Sequence, residues 1–146
     1  MKYSRFFFVS IILILTSCTS AAEEQNIDPA IQARLNARLT AQQLYIVENQ
    51  GTERPFTCDL PVDEAGDYRC VRCGEILFSS EDYFDSGTGW PSFDQAATEN
   101  VGTRPDGSRT EVICSTCEAH LGHVFYGEGF TEEDTRYCIN SIAIRF

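Results

Sequence analysis

The 146-residue sequence predicts one mainly β domain of the α+β class, with helices at its N-terminal end. Three observations carry this reading. Two helix-start signals lie at Asp28-Pro29 and Thr40. Beyond Gly51 the apolar stretches are short and are broken every few residues by Gly, Pro, Asp or Ser. Two C-x-x-C pairs, Cys70/Cys73 and Cys114/Cys117, have the pattern of a four-thiolate zinc site that would stabilise such a fold.

The first segment reads as an address. Lys2 and Arg5 precede an apolar run from Phe6 to Leu15 interrupted only by Ser10. This fits a secretory signal and is too short to span a bilayer. The ending Leu15-Thr16-Ser17-Cys18 resembles a bacterial lipobox, which would remove residues 1–17 and leave an acylated Cys18. An ordinary signal peptide cut near Ala21-Ala22 is the competing reading. Acylation with more than one chain would hold the protein at a membrane, in an envelope compartment where thiols can oxidise. Thr19, rather than an aspartate, points to the outer membrane if there is one.

Cleavage would remove the only lysine and the only methionine. Nine arginines would then face 22 acidic residues, a charge of −13 against −11 for the whole chain. That sign argues against nucleic acid or anionic lipid as partners. Lacking methionine also suits a protein that lives among oxidants.

Residues 18–28 read as a lipidated cysteine and a small, polar tether; about ten such residues reach roughly 16–19 Å. The folded domain is expected over 29–146. Asp28 is placed to cap a helix that opens with Pro29. A second helix begins after Thr40, carries Leu44, Ile46 and Val47, and ends at Asn49-Gln50-Gly51. Strands are expected at Asp67–Cys70, Arg109–Cys114, His123–Phe125, Tyr137–Asn140 and Ser141–Phe146. The last alternates, with Ile142, Ile144 and Phe146 on one face. No fixed-period repeat or low-complexity tract is present.

Each C-x-x-C would sit on a tight turn aiming two thiolates at one point, and tetrahedral zinc requires two such turns. Gly74 eases the first. The 40 residues between the pairs exceed the usual spacing of compact zinc modules. Structural disulfides and redox dithiols remain alternatives, although redox motifs usually open a helix in a βαβ setting. Four closed ligands would hold the fold without doing chemistry. His120 and His123 lie too close together for the usual zinc spacing.

This leaves Cys58, Cys138, His120, His123 and the only tryptophan, Trp90. Arg136 lies two residues from Cys138, so the cysteine is expected to have a lowered pKa and to serve as a nucleophile. Trp90, between Gly89 and Pro91, can offer an apolar platform, and a histidine can supply a proton. Taken alone, these residues better fit the bland reading of an inert cysteine, a core tryptophan and histidines satisfied by carbonyls.

The segments carrying them are Gly51–Cys58, Phe84–Phe93, Ala119–Phe125 and Arg136–Ser141. With the zinc pairs, in this order and spacing, they resemble the B-type methionine sulfoxide reductases from about Leu39 to the C-terminus. The resemblance implies two antiparallel β-sheets with helices packed at the N-terminal side, and reduction of methionine-R-sulfoxide, preferably in peptides. It implies that Cys138 attacks the sulfoxide sulfur and becomes a sulfenic acid. Trp90 would contact the substrate methyl group, His120, His123 and Asn140 would line the pocket, and Arg136 would tune the thiolate.

Two departures matter. Many members carry a resolving cysteine where this chain has Thr88, while Cys58 lies in a segment that supplies that thiol in others. The resemblance therefore implies a Cys58–Cys138 disulfide, reduced by a thioredoxin-like partner. Many relatives also place an aspartate two residues past Phe125, where this chain has Gly127 followed by Glu128. A monomer is expected. The rival functions are a non-catalytic zinc-stabilised binding module and a general disulfide oxidoreductase with a metal-free C-x-x-C.

Overall fold

A computed structural model describes residues 27–146. The segment 1–17, Cys18 and most of the 18–28 tether lie outside the described residues. Among the described residues, no helix is long and apolar enough to cross a membrane.

Helix α1 spans Pro29–Asn36, and the Ala30 N–H donates to Asp28 Oδ1 at 2.8 Å. Helix α2 spans Ala41–Val47 and opens with a reciprocal cap: Gln43 N–H donates to Thr40 Oγ1, and Thr40 N–H to Gln43 Oε1. It stops where expected, because Gln50 adopts the left-handed conformation and Gly51 N–H bonds the Tyr45 carbonyl. Only α2 delivers buried residues, Ile46 and Val47.

Nine strands follow: β1 Asp67–Cys70, β2 Ile76–Ser79, β3 Tyr83–Phe84, β4 Ser92–Phe93, β5 Val101–Asp106, β6 Arg109–Cys114, β7 His120–Tyr126, β8 Thr135–Ile139 and β9 Ile144–Arg145. They form two antiparallel sheets, ordered β2-β1-β9 and β3-β4-β8-β7-β6-β5. Strands β1 and β6 coincide with the expected spans, β7 is longer, and β8 begins two residues earlier and stops before Asn140. Strands β2 to β5 were not anticipated. Two of these four have just two residues, too short to show a period.

The expected strand Ser141–Phe146 is corrected. Ser141–Ala143 forms a 3₁₀ turn, and only Ile144–Arg145 pairs with β1. The Glu53 carboxylate causes the break by accepting the Ser141 N–H, the Ser141 hydroxyl and the Ile142 N–H. The anticipated common face of Ile142, Ile144 and Phe146 is lost, and Phe146 ends exposed beside the Tyr68 ring.

One core joins the sheets through Tyr68, Leu77, Phe78, Phe93, Val112, Leu121 and Ile139. Phe78 stacks on Phe93 with ring centroids 4.4 Å apart. Strands β7 and β8 approach closely because Gly122 has no side chain; a Cβ there would lie 2.0 Å from the Cys138 carbonyl oxygen. Gly122→Ala is therefore expected to cost about 1–3 kcal/mol or more, measured as a lower urea midpoint at unchanged slope.

Candidate active site

The two C-x-x-C pairs end strands of different sheets, Cys70 closing β1 and Cys114 closing β6. Each knuckle turns through a left-handed residue, Gly74 in the first and Glu118 in the second. The Gly74 N–H bonds the Cys70 carbonyl and the Glu118 N–H the Cys114 carbonyl, both at 2.8 Å. All four sulfurs lie within 4.8 Å of one another, and Cys70–Cys117 and Cys73–Cys114 are each 3.6 Å apart. A tetrahedral Zn–S length of about 2.3 Å implies sulfurs roughly 3.8 Å apart, so the set fits zinc. Disulfides, at about 2.05 Å, are a much poorer match.

Hydrogen bonds to neighbouring sulfurs, first of all Cys114, push the thiols of Cys70 and Cys117 up and pull Cys73 down. The Cys117 sulfur likewise pulls Cys114 down. A dication would replace this proton sharing with four thiolate bonds. Cys117→Ser is expected to lose about one equivalent of zinc, measured by elemental analysis, with a lower melting temperature.

The second cluster is built across the larger sheet. Directly paired residues share a face, so the registers align Phe84, Ser92, Cys138, His123, Glu111 and Arg104 in one row across six strands. His120, three residues before His123, would face the other way in a regular strand. A bulge between β6 and β7 shifts the register at Leu121, and the two imidazoles meet edge-on at 5.5 Å.

A pocket of about 140 Å³ is lined by Thr52, Trp90, Arg109, Gly122, His123, Phe125, Cys138 and Asn140. It brings Trp90, His123 and the neighbouring pair Cys138 and Asn140 together from three separate parts of the chain. Asn140 is held by both ends of its amide, accepting from the Glu53 N–H at 3.0 Å and donating to the Leu121 carbonyl at 3.0 Å. The Trp90 indole N–H reaches the Glu53 carbonyl at 3.3 Å.

His120 does not line this pocket. It is buried behind His123, with Nδ1 2.7 Å from Glu111 and Nε2 without a hydrogen-bond partner. Burial lowers its pKa, against the opposing pull of Glu111. Burial pushes the Glu111 carboxyl up, but hydrogen bonds from Arg104 and His120 win and hold it below the usual range. The Gln50 amide also donates to Glu111, at 3.3 and 3.4 Å. His123 Nε2 lies 2.8 Å from Asp106, which also accepts from Arg109 at 2.7 Å.

Arg136 sits on β8 two residues from Cys138 and is not a pocket wall. Its guanidinium lies over the Phe125 ring and is clamped by Glu128, at 2.8 and 3.1 Å. The hydrogen bond from Arg136 holds the Glu128 carboxyl below its ordinary value.

The expectation of a lowered Cys138 pKa is corrected. Burial pushes the thiol up from its ordinary value, and this outweighs the opposing effects of Arg136 and Thr88. Arg136→Leu removes the cation's pull and is expected to raise the thiol pKa further, read as slower alkylation of Cys138 at fixed pH.

Cys58 is exposed and lines a neighbouring pocket with Phe56, Gly87, Gly89 and Trp90. Trp90 is the wall common to both pockets, and the two cysteines are free thiols. The Phe56 N–H bonds the Gly89 carbonyl at 2.7 Å, while Phe56 itself is left-handed and 77 % exposed. Sequence reasoning missed Glu53, Asp106, Arg109 and Glu111. Only Glu111 left a signal, a carboxylate within a strand that packs on both faces.

A mainly β domain with a four-thiolate knuckle pair and a cysteine, histidine and tryptophan pocket defines a thiol-chemistry class. The SelR domain matches residues 39–146, and the chain belongs to the SelR-domain family. It is 47% identical over 115 residues to the peptide methionine sulfoxide reductase MsrB of Hahella chejuensis, covering 75% of this chain and 82% of that protein. The MsrB of Thiobacillus denitrificans is 46% identical over 125 residues, covering 82% and 94%. The human mitochondrial methionine-R-sulfoxide reductase B2 is 42% identical over 131 residues, covering 81% and 71%.

Proposed function

We propose that this protein reduces methionine-R-sulfoxide in peptides and proteins to methionine. The observation that carries the reading is the joining of Cys138, Trp90, His123 and Asn140 in one open pocket of a SelR-domain chain. Trp90 and Phe125 receive the methyl end of the side chain, and Asn140 and His123 face its polar sulfoxide.

Cys138 attacks the sulfoxide sulfur as a thiolate while a proton reaches the oxygen. Methionine leaves, and Cys138 is oxidised to the sulfenic acid, the reversible first stage of thiol oxidation. His123, oriented by Asp106, is placed to deliver the proton. His120 and Glu111 support it from behind. The raised Cys138 pKa keeps the free thiol less prone to stray oxidation, and Arg136 stabilises its charge when it ionises.

Cys58 then attacks the sulfenic sulfur and releases water, forming a Cys58–Cys138 disulfide. This requires movement of the Phe56–Cys58 loop around Trp90. The exposure of Cys58 and the left-handed backbone of Phe56 support such a movement. A thioredoxin-like dithiol would reopen the bridge by exchange. The zinc held by Cys70, Cys73, Cys114 and Cys117 would supply structural cross-linking alone, because its four ligands close the coordination shell. The lipobox-like Leu15–Cys18 supports a lipid-anchored location in a bacterial envelope, and Thr19 in place of an aspartate favours the outer membrane.

A single turnover tests the reading. The full chain in detergent, without reductant, receives a peptide carrying racemic methionine sulfoxide. About one methionine per chain is expected, drawn from the R epimer, with a new Cys58–Cys138 bridge seen by mass spectrometry. Methionine without that bridge would remove Cys58 from the cycle. No methionine from zinc-loaded protein would sink the reductase reading.

A further inference from the structure

The loop between β7 and β8, residues 127–134, turns back over the Cys138 face of the larger sheet. Asp134 closes it: its carbonyl accepts the Gly127 N–H at 3.1 Å and its Oδ1 the Gly129 N–H at 2.9 Å. Gly127, Gly129 and Asp134 all adopt the left-handed conformation, which makes the return tight. The loop carries Phe130, which is 47 % exposed. The Phe130 ring meets the Phe84 ring at 5.7 Å, and the Arg136 guanidinium lies 5.6 Å from its centre. The same guanidinium lies 4.5 Å from the centre of Phe125, a wall of the Cys138 pocket.

Strand register puts these groups on one side. Phe84, Ser92 and Cys138 are paired in succession and share a face. Arg136, two residues from Cys138 on β8, shares that face and is paired with Phe125. An aromatic ledge therefore runs without a break from the pocket wall at Phe125, past Arg136, to Phe130 and Phe84. Its border is acidic. Asp85 follows Phe84, Glu132 and Glu133 follow Phe130, and all three are exposed. Residues 127–135 contain no basic residue, and the Arg136 that follows is buried and engaged by Glu128.

The pocket holds about 140 Å³, far less than the roughly 300–1,000 Å³ of sites that enclose a drug-sized ligand. It takes one side chain, and the rest of a peptide lies outside. Phe84 stands two strands from Cys138, about 10 Å away, with Phe130 against it. An extended peptide sends residues i and i+2 to the same side, roughly 7 Å apart. With one side chain in the pocket, the second residue along reaches the Phe130 ring.

We propose that Phe130 and Phe84 form a subsite for a bulky apolar side chain two residues from the sulfoxide, in substrates whose flanking residues are basic. The apolar side chain covers the exposed ring, and the basic neighbours meet Asp85, Glu132 and Glu133. The inference rests on the pocket of Cys138 and Trp90 receiving methionine sulfoxide. Its test reads binding without turnover, so the ledge can fail while the single turnover succeeds, and the reverse.

Full chain in detergent carrying Cys138→Ser is titrated into fluorescein-labelled peptides and followed by anisotropy. Each peptide holds one methionine sulfoxide, with Phe or Ala two residues before or after it and Lys or Glu beside that position. On one side of the sulfoxide, Phe is expected to bind about tenfold tighter than Ala. Phe130→Ala should bring that ratio to within about twofold. Lys should bind more tightly than Glu, by a margin that shrinks as salt rises and in Glu132→Gln/Glu133→Gln. Equal affinities for Phe and Ala on both sides would overturn the proposal, as would a Phe preference that survives Phe130→Ala. A dimer seen by sedimentation and lost in Phe130→Ala would give the ledge to a second copy of this chain, and would also overturn it. If Phe130→Ala loses its zinc or fold, Phe84→Ala decides by the same ratio.

Discussion

The buried Glu53 carboxylate is the constraint on which the pocket depends. It accepts two backbone N–H groups and a hydroxyl from Ser141 and Ile142, nearly ninety positions along the chain. Its own N–H orients Asn140, and its carbonyl receives the Trp90 indole. One residue thereby fixes the 3₁₀ turn after β8, the amide facing the pocket and the aromatic wall. Charge-assisted hydrogen bonds of this kind are the stronger ones, and they leave little freedom in where the indole and amide sit. The Cys58 loop leaves this anchor within a few residues and ends exposed.

Electrostatic order in the site follows the pleat. A single transverse row carries Ser92, Cys138, His123, Glu111 and Arg104 from one strand to the next. One bulge then adds His120 to the same side. Carboxylates stand behind both histidines: Glu111 behind His120, with Arg104 balancing its charge, and Asp106 behind His123. The cysteine itself is surrounded differently, by burial on one side and by a guanidinium already engaged by Glu128 on the other. A clamped cation can stabilise a nearby anion at little cost in reorganisation. This is why Arg136 tempers the burial penalty without abolishing it.

The four-cysteine cluster and the active-site row answer different demands on the same scaffold. The cluster joins the end of β1 in the small sheet to the end of β6 in the large one. A domain of this size buries a modest core, and a metal ion held by these four cysteines would cross-link the two sheets.

Local signals were enough to read several features from the chain. Asp28 and Thr40 cap helices through bonds within three residues. Asp67–Cys70 and Arg109–Cys114 are visible as strands, and the paired C-x-x-C turns announce a closed metal site. Cys138, Trp90, His123 and Asn140 could be nominated, through the resemblance, because residue type and order survive in one dimension. What the sequence by itself determined is this list of chemical parts and its local punctuation. Tertiary structure alone decided how the parts act. It turned Ser141–Ala143 out of its expected strand through Glu53, set His120 behind His123 through a bulge, and raised the Cys138 pKa by burial. It also met Arg136 with Glu128, eight residues earlier in the chain. Each of these depends on atoms distant in the chain meeting in a low-dielectric interior, where desolvation and hydrogen bonding outweigh what neighbours in sequence imply.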